Sequence, residues 1–539
     1  MNKITLYFCL IILVACGNKT KVDLLVKGAT INTVDSLMSN ATVMAISRGK
    51  IVAIGNNNLL EKFESDTIID ATGKFIYPGL IDAHSHFYGL GSYMQMVDLT
   101  GTSSWEEVLE TCKKYVEEYN PTFLSGRGWD QNDWGVKDFP TNEKLNQLFP
   151  NFPVVLKRVD GHAVIANKAA LKLANINNNT IIDGGILIKK DHNLTGVLID
   201  NAADLAWDKL PQSTNAAISK SLLMAQKVCF DLGLTSVCDA GLNTNVIEVI
   251  DSLQKAGKLK IRVYAMISAT DTQIDEWLNR EPIKTDVLNV SSFKMYADGA
   301  LGSRGACLLQ PYADNHQHQG LILTPIHKME AYVKKISASP YQLNTHCIGD
   351  SANRYILNLY GKYLGENNNR RWRIEHAQVI NPIDFDLFGK YQIVPSVQPT
   401  HATSDMYWAE ARLGKDRMHG AYAFKLLLQQ NGWLPLGTDF PVESPNPFYT
   451  FYAAVSRQDA KGFPDEGFQM QDALTRTEAL KGITTWAAKS AFEEGFKGAL
   501  QVGKLADFII MDIDLLEADL KLIREAKPSA VYLGGVKVK

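Results

Sequence analysis

The sequence predicts an α/β protein: a (β/α)8 TIM-like barrel in the middle of the chain, with a small sheet domain assembled from both chain ends. Three observations carry this. The middle of the chain alternates short apolar runs with segments of helical periodicity, eight times over. Both ends are rich in short β-type runs broken by Gly and Asn. The length, 539 residues, holds a barrel of roughly 250 residues and leaves room for an insertion.

The first segment, residues 1–15, reads as an address. Lys3 gives a positive start, and Ile4 to Ala15 is almost wholly apolar. That run is too short to span a hydrocarbon core and has the length of a signal-peptide core. It closes on Leu13-Val14-Ala15-Cys16-Gly17, which resembles the bacterial lipoprotein box. The resemblance implies lipidation of Cys16, and hence a protein held on a membrane without crossing it. In a double-membraned bacterium, Gly17 after the cysteine implies the outer membrane, facing the periplasm. An ordinary secretory signal, with Cys16 incidental, is the alternative.

Residues 16–75 and 495–539 form the two β-rich ends. VDLLVKGATI, ATVMAI and GKIVAIG lie at one end, ADFIIMDID and PSAVYLGGVKVK at the other. Residues 76–494 carry the barrel. Its strand runs are YPGLIDAH, LTSVCDAG, KIRVYAMI, VSSFKMYADG, QLNTHCIGD, RWRIEHAQVI, IVPSVQPT and LPLGTDFP. Helical spacing follows in segments such as 216–232 and 328–337. The first gap, from Phe87 to Leu234, is too long for one loop and helix. It predicts an insertion at about 100–205, with the runs TFLSGRGWD and PVVLKRVDGHA and a hairpin-like DGGILIKKDHNLTGVLI.

Composition is that of a globular protein, with 46% hydrophobic and 21% charged residues. The net charge of -3 excludes the basic stripe of a dedicated nucleic-acid binder. Apart from Cys9 and Cys16, the cysteines are Cys112, Cys229, Cys238, Cys307 and Cys347, an odd set without CxxC spacing. This is no disulfide framework, and most of them read as small buried apolar groups. GALQVGK matches the glycine and lysine spacing of a phosphate loop, but Leu505 stands where a hydroxyl is needed. No GxSxG occurs, which removes the serine-hydrolase elbow.

Five strand ends carry metal-type ligands. The first ends His84-Ser85-His86, and alternate residues on a strand face the same way, so both imidazoles can reach one ion. Lys294, His346, His376 and Asp439 each follow or end an apolar run. A second HxH, His316-Gln317-His318, lies in a polar stretch with no strand before it and reads as a surface loop. A lysine facing a barrel interior is costly as an ammonium. One answer is capture of CO2 as a carbamate, an anionic ligand able to bridge two metals. Imidazole and carboxylate together favour zinc, with Mn, Fe, Co or Ni as alternatives.

HxH, Lys, His, His and Asp in this order, on strands 1, 4, 5, 6 and 8, resemble the amidohydrolase superfamily. GWDQNDW, DGHAVIAN, KMYADGALGSRGA, GTDFPVESPNP and GALQVGKLADFII resemble its YtcJ-like, amidohydrolase-3 branch. The resemblance spans nearly the whole chain. It implies a composite β-sandwich beside the barrel and one or two divalent ions. His84 and His86 would bind the more buried ion with Asp439, and His346 and His376 the second. Lys294 would bridge them. It further implies hydrolysis by a metal-generated hydroxide, with Asp439 as general base and then acid. Asp439 precedes Phe440-Pro441 and is expected to be held rigidly.

The insertion and the loop after the fourth strand are expected to build the pocket for a small amide-type substrate. Trp129, Asp130 and Trp134 would form an aromatic wall with a polar fixing point. His162 would donate to a developing oxyanion. Asp298 and Arg304 would lie near the substrate, Arg304 holding a carboxylate. The same metals would also serve an ester, a lactone or a cyclic amide. A non-catalytic binding lipoprotein is the reading from another class. Relatives imply a homodimer.

Overall fold

The computed structural model describes residues 19–210 and 214–539. Residues 1–15 and Cys16 lie outside the described residues. No described helix is long and apolar enough to cross a membrane.

Seven parallel strands form a nearly closed barrel. They are β1 (Leu80–Ser85), β2 (Leu234–Leu242), β3 (Arg262–Ser268), β4 (Leu288–Tyr296), β5 (Gln342–Cys347), β6 (Arg373–His376) and β7 (Val394–Ser396), paired in that order. Buried on both faces, these strands read as continuous apolar runs rather than alternating ones. The expected helices follow, such as Asn215–Asp231 before β2 and Ile326–Ser337 before β5.

The eighth expected strand, LPLGTDFP, is not a regular strand. Pro435 has no N–H to give a ladder, and Asp439 has a positive φ of 62°. The segment still bridges the gap. Val397 and Gly437 donate to the carbonyls of Pro435 and Val397 on one side, at 3.2 and 3.1 Å. Ala83 donates to Leu436 and Asp439 to His84 on the other, at 3.1 and 2.8 Å. Gly437 is required here, because a Cβ would stand 2.5 Å from the His84 backbone nitrogen. Asp82 fastens the seam, accepting from the Thr438 hydroxyl at 2.7 Å and from the His84 N–H at 3.1 Å.

Both chain ends build one eight-stranded sheet. Phe508–Met511 lies between Phe75–Pro78 and Ala530–Leu533, and Leu24–Asn32 carries the sheet on towards Asn40–Ser47 and Lys50–Gly55. The pairing of Phe508 with Pro78 joins the two ends of the chain.

The long gap after β1 holds an inserted mixed sheet of six strands. Three parallel strands, Val97–Asp98, Leu124–Trp129 and Val154–Arg158, continue antiparallel into Ala163–Ala166 and the hairpin Gly185–Lys190/Asn193–Asp200. The C-terminal ends of its central strands overhang the barrel mouth. They deliver Asp130, Arg158, Asp160 and His162 to the cavity there.

The five cysteines among the described residues are unpaired, and four of them are buried.

Candidate metal centre

The C-terminal strand ends converge on Asp439. His84 Nε2 and His86 Nε2 lie 3.5 and 3.2 Å from its Oδ1, and His401 Nε2 lies 3.6 Å from its Oδ2. Two triads of donor atoms therefore share Asp439: His84 with His86, and His376 with His401, each within 4.8 Å of one another. His346 joins the same cluster, its ring meeting that of His376 edge-on with centroids 4.4 Å apart. Lys294 Nζ sits 3.5 Å from His84 Nε2.

Each ring is aimed by a partner behind it. The His84 Nδ1–H donates to Glu375, which Arg373 holds through Nε at 2.6 Å and Nη2 at 3.0 Å. Burial pushes the His84 imidazole down to about 4, so it is neutral at pH 7 and presents a bare Nε2 to the cluster. Glu375 is held down to about 2: burial opposes its charge, but Arg373, His84 and Lys294 together outweigh burial. The His376 Nδ1–H donates to Gln398 Oε1 at 2.8 Å. His86 leads into the helix Phe87–Tyr93, whose first N–H groups, of Phe87 and Tyr88, donate to Asp239 on β2 at 3.0 and 2.9 Å. That cap fixes where His86 points.

The cluster has the donors of a cation site. His346 Nε2, His401 Nε2 and Asp439 Oδ1 are buried and have no hydrogen-bond partner among the described residues. Buried polar atoms are rarely left so. All are nitrogen or carboxylate donors, a set that suits a divalent transition ion. Lys294 is fully buried on β4, with the Tyr296 ring 4.7 Å away and, among the described residues, no carboxylate within ion-pair distance. Burial pushes its ammonium down to about 8.

Two chambers meet at this cluster and share Asp160, His162, His346, His376, Asp439 and Val442. The outer one, of about 250 Å³, has Trp408 in its wall and Asp130, Asp133, Asp405 and Glu443 around it. The inner one, of about 390 Å³, reaches under the inserted sheet. His162 stands between them, its Nδ1 2.8 Å from Asp200 and its ring 5.2 Å from His346. Burial opposes a charge on His162, but the Asp200 carboxylate raises it above the usual imidazole range.

The structure places the other expected residues differently. Trp129 and Trp134 do not line the cavity. Both are buried in the core under the inserted sheet, with ring centroids 6.0 Å apart. Their indole N–H groups are used on the carbonyls of Leu156 and Thr102, at 2.9 and 2.8 Å. Trp129→Ala is therefore expected to cost about 3–5 kcal/mol of stability and leave metal content unchanged. Denaturant unfolding beside metal analysis checks this; loss of activity at wild-type stability would return Trp129 to the pocket.

Asp130 does reach the cavity, paired with Arg158. Asp298 is buried behind His346 and accepts from the N–H groups of Cys307, Ile348 and Gly349, at 2.9, 3.0 and 2.8 Å. It shapes the loop after β5. Arg304 is engaged by Asp314, at 3.1 and 2.9 Å, away from both chambers. His318 lies in the loop beside it, bonded to the Arg304 carbonyl at 2.7 Å, and its neighbour His316 is exposed.

Sequence reasoning missed His401, Glu375 and Asp200. His401 comes five residues after β7, inside the helix Pro399–Asp405. A histidine just past a barrel strand was the available signal.

A family model described as the amidohydrolase family matches residues 67–538. The chain is 32% identical over 533 residues to Protein LONG AFTER FAR-RED 3 of Arabidopsis thaliana, covering 95% of this chain and 91% of that one. It is 30% identical to the putative amidohydrolase YtcJ of Bacillus subtilis, covering 88% and 91%. It is 24% identical to the N-substituted formamide deformylase of Arthrobacter pascens, covering 95% and 98%. Among solved structures, an uncharacterised metal-dependent hydrolase from Pyrococcus horikoshii superposes with a TM-score of 0.75 at 26% identity, covering 92% and 99%.

Proposed function

Because the chain belongs to the amidohydrolase family, we propose that it is a metal-dependent hydrolase that cleaves an amide-type C–N bond at the barrel mouth. The observation that carries this reading is the set of unpartnered buried donors around Asp439, open to a cavity. The similarity to a formamide deformylase supports the bond type.

His84, His86 and Asp439 would hold one divalent ion, and His376 with His401 or His346 a second, with zinc the first candidate and Lys294, as a carbamate, between them. A bound ion of this kind supplies Lewis acidity, which makes water a nucleophile near neutral pH and polarises a carbonyl. The remaining steps belong to side chains. Burial opposes the Asp439 carboxylate, but His86 and His84 hold it well below the usual range. It is charged at neutral pH and would accept the proton of the attacking water, then pass it to the departing nitrogen. His162, oriented by Asp200, donates from Nε2 to the oxygen on which charge develops. Glu375 and Gln398 keep the rings of His84 and His376 from turning. The acidic outer chamber favours departure of the amine as an ammonium ion.

Metal analysis of the purified chain beside Lys294→Ala tests the centre. About two ions per chain, falling in the variant, are expected for a bridged pair. One ion, unchanged in the variant, would make Lys294 a structural residue; no metal would remove the hydrolase reading. With metal present, N-acyl and N-formyl amines should turn over faster than matched esters and lactones.

A further inference from the structure

The inner chamber has a feature that hydrolysis alone does not require. Arg127 and Lys157 both line it, and they are directly opposite one another in the parallel ladder of the inserted sheet. Like charges in register on neighbouring strands repel. The fold does little to offset this at Arg127. Its Nη2 donates to the Val159 carbonyl at 2.9 Å, but its Nε is buried without a partner among the described residues. Four carboxylates line the same chamber, and three of them face other groups. Asp160 is 2.6 Å from Arg158, Asp200 meets His162 through Oδ1 at 2.8 Å while its Oδ2 has no partner among the described residues, and Asp439 faces the histidines. The Lys157 ammonium lies 4.2 Å over the Trp207 ring, with Asp204, Asp208 and Asp160 the acidic groups near it. The approach to the guanidinium is open because residue 161 is glycine. A Cβ there would stand 3.5 Å from Arg127 Nη2, so a larger side chain would cover it.

We propose that the inner chamber is an anion-recognition subsite, in which Arg127 and Lys157 together hold a carboxylate on the substrate. The guanidinium offers planar paired donors and the ammonium a point charge, a combination suited to a carboxylate. An anion placed between them turns a repulsive pair into two attractive contacts. The subsite opens on the same Asp439 cluster as the acidic outer chamber. A substrate would then place its anionic part at Arg127 and Lys157 under the inserted sheet and its amine in the chamber lined by Trp408. This deepens the hydrolase reading by naming a substrate class, amides that carry a carboxylate, and it rests on that reading for its role in turnover.

The test is equilibrium binding of glutarate and of its uncharged counterpart glutaramide to the purified chain, before and after chelation. Arg127→Gln, Lys157→Gln and Arg127→Lys are measured alongside. Glutarate should bind better than glutaramide and weaken about tenfold or more in either glutamine variant. Affinity should return in part in Arg127→Lys, fall with added salt in the unaltered chain, and survive chelation. The proposal is overturned by equal binding of the two probes, by unchanged glutarate affinity in both glutamine variants, or by loss of binding on chelation, which would place the carboxylate on the metal. If a glutamine variant fails to fold, the salt series and Arg127→Lys decide. Glutarate binding that persists in a chain with no amide turnover would sink the hydrolase reading and leave the subsite standing.

Discussion

Asp439→Asn is expected to lower kcat/KM by roughly 10³-fold or more while the chain stays folded. The carboxylate is the one group shared by both donor triads, with His84, His86 and His401 all within 3.6 Å. The amide of Asn keeps the shape and one acceptor but loses the charge and the capacity to take a proton. Both expected roles fail together, ion binding and proton transfer. The backbone around it is fastened independently, by Asp82 on Thr438 and by the Asp439 N–H on the His84 carbonyl. Steady-state kinetics, metal content and thermal unfolding on one preparation check this. Turnover within a factor of a few of the unaltered enzyme would remove Asp439 from the chemistry.

Glu375→Gln is expected to be the most damaging change that touches no substrate. Its carboxylate joins Arg373 to His84, and all three side chains are fully buried. Neutralising it strands the Arg373 charge in the interior, a loss of about 3–5 kcal/mol. The His84 ring also loses the acceptor that fixes its tautomer, which should weaken ion binding about 10–100-fold. The pH dependence has a definite sign. The folded-state value of Glu375, about 2, lies below that of an unfolded glutamate, about 4.3. Its contribution is therefore complete above that unfolded value. It is lost as pH falls from there through the folded value. Urea unfolding at neutral pH and at a series of acidic pH values should show this slope in the parent and a shallower one in the variant. Equal stability of the two at neutral pH would show that the pair contributes nothing.

The barrel, and the donor residues at its strand ends, were legible because buried parallel strands leave continuous apolar runs, and a charged or imidazole residue closing such a run stands out. His84, Lys294, His346, His376 and Asp439 were all visible this way. His401 was not, because it sits within a helix beyond a strand of only three residues. Glu375 was hidden in RWRIEH, where an Arg–Glu pair looks like a solvated edge although both side chains are fully buried. Trp129 and Trp134 show the opposite limit. Residue type gives no sign of which side of an inserted sheet an indole will occupy, and theirs is the core side. The last barrel segment, expected as an eighth strand, fills that position without being one, because Pro435 and the positive φ of Asp439 deny it a regular ladder.

The pairing of Phe75–Pro78 with Phe508–Met511 also sets a timetable. The Tyr77 hydroxyl bonds to Asp514, 437 residues further on. At a synthesis rate of 5–20 residues per second, the early strand waits roughly 20–90 s for its neighbour to be made. Throughout that interval an apolar strand edge is bare while the barrel forms beyond it. A chain that stops short of residue 508 never covers that edge. The last strands are thus the latch that closes the molecule, and shortening the C-terminus unfastens the N-terminus.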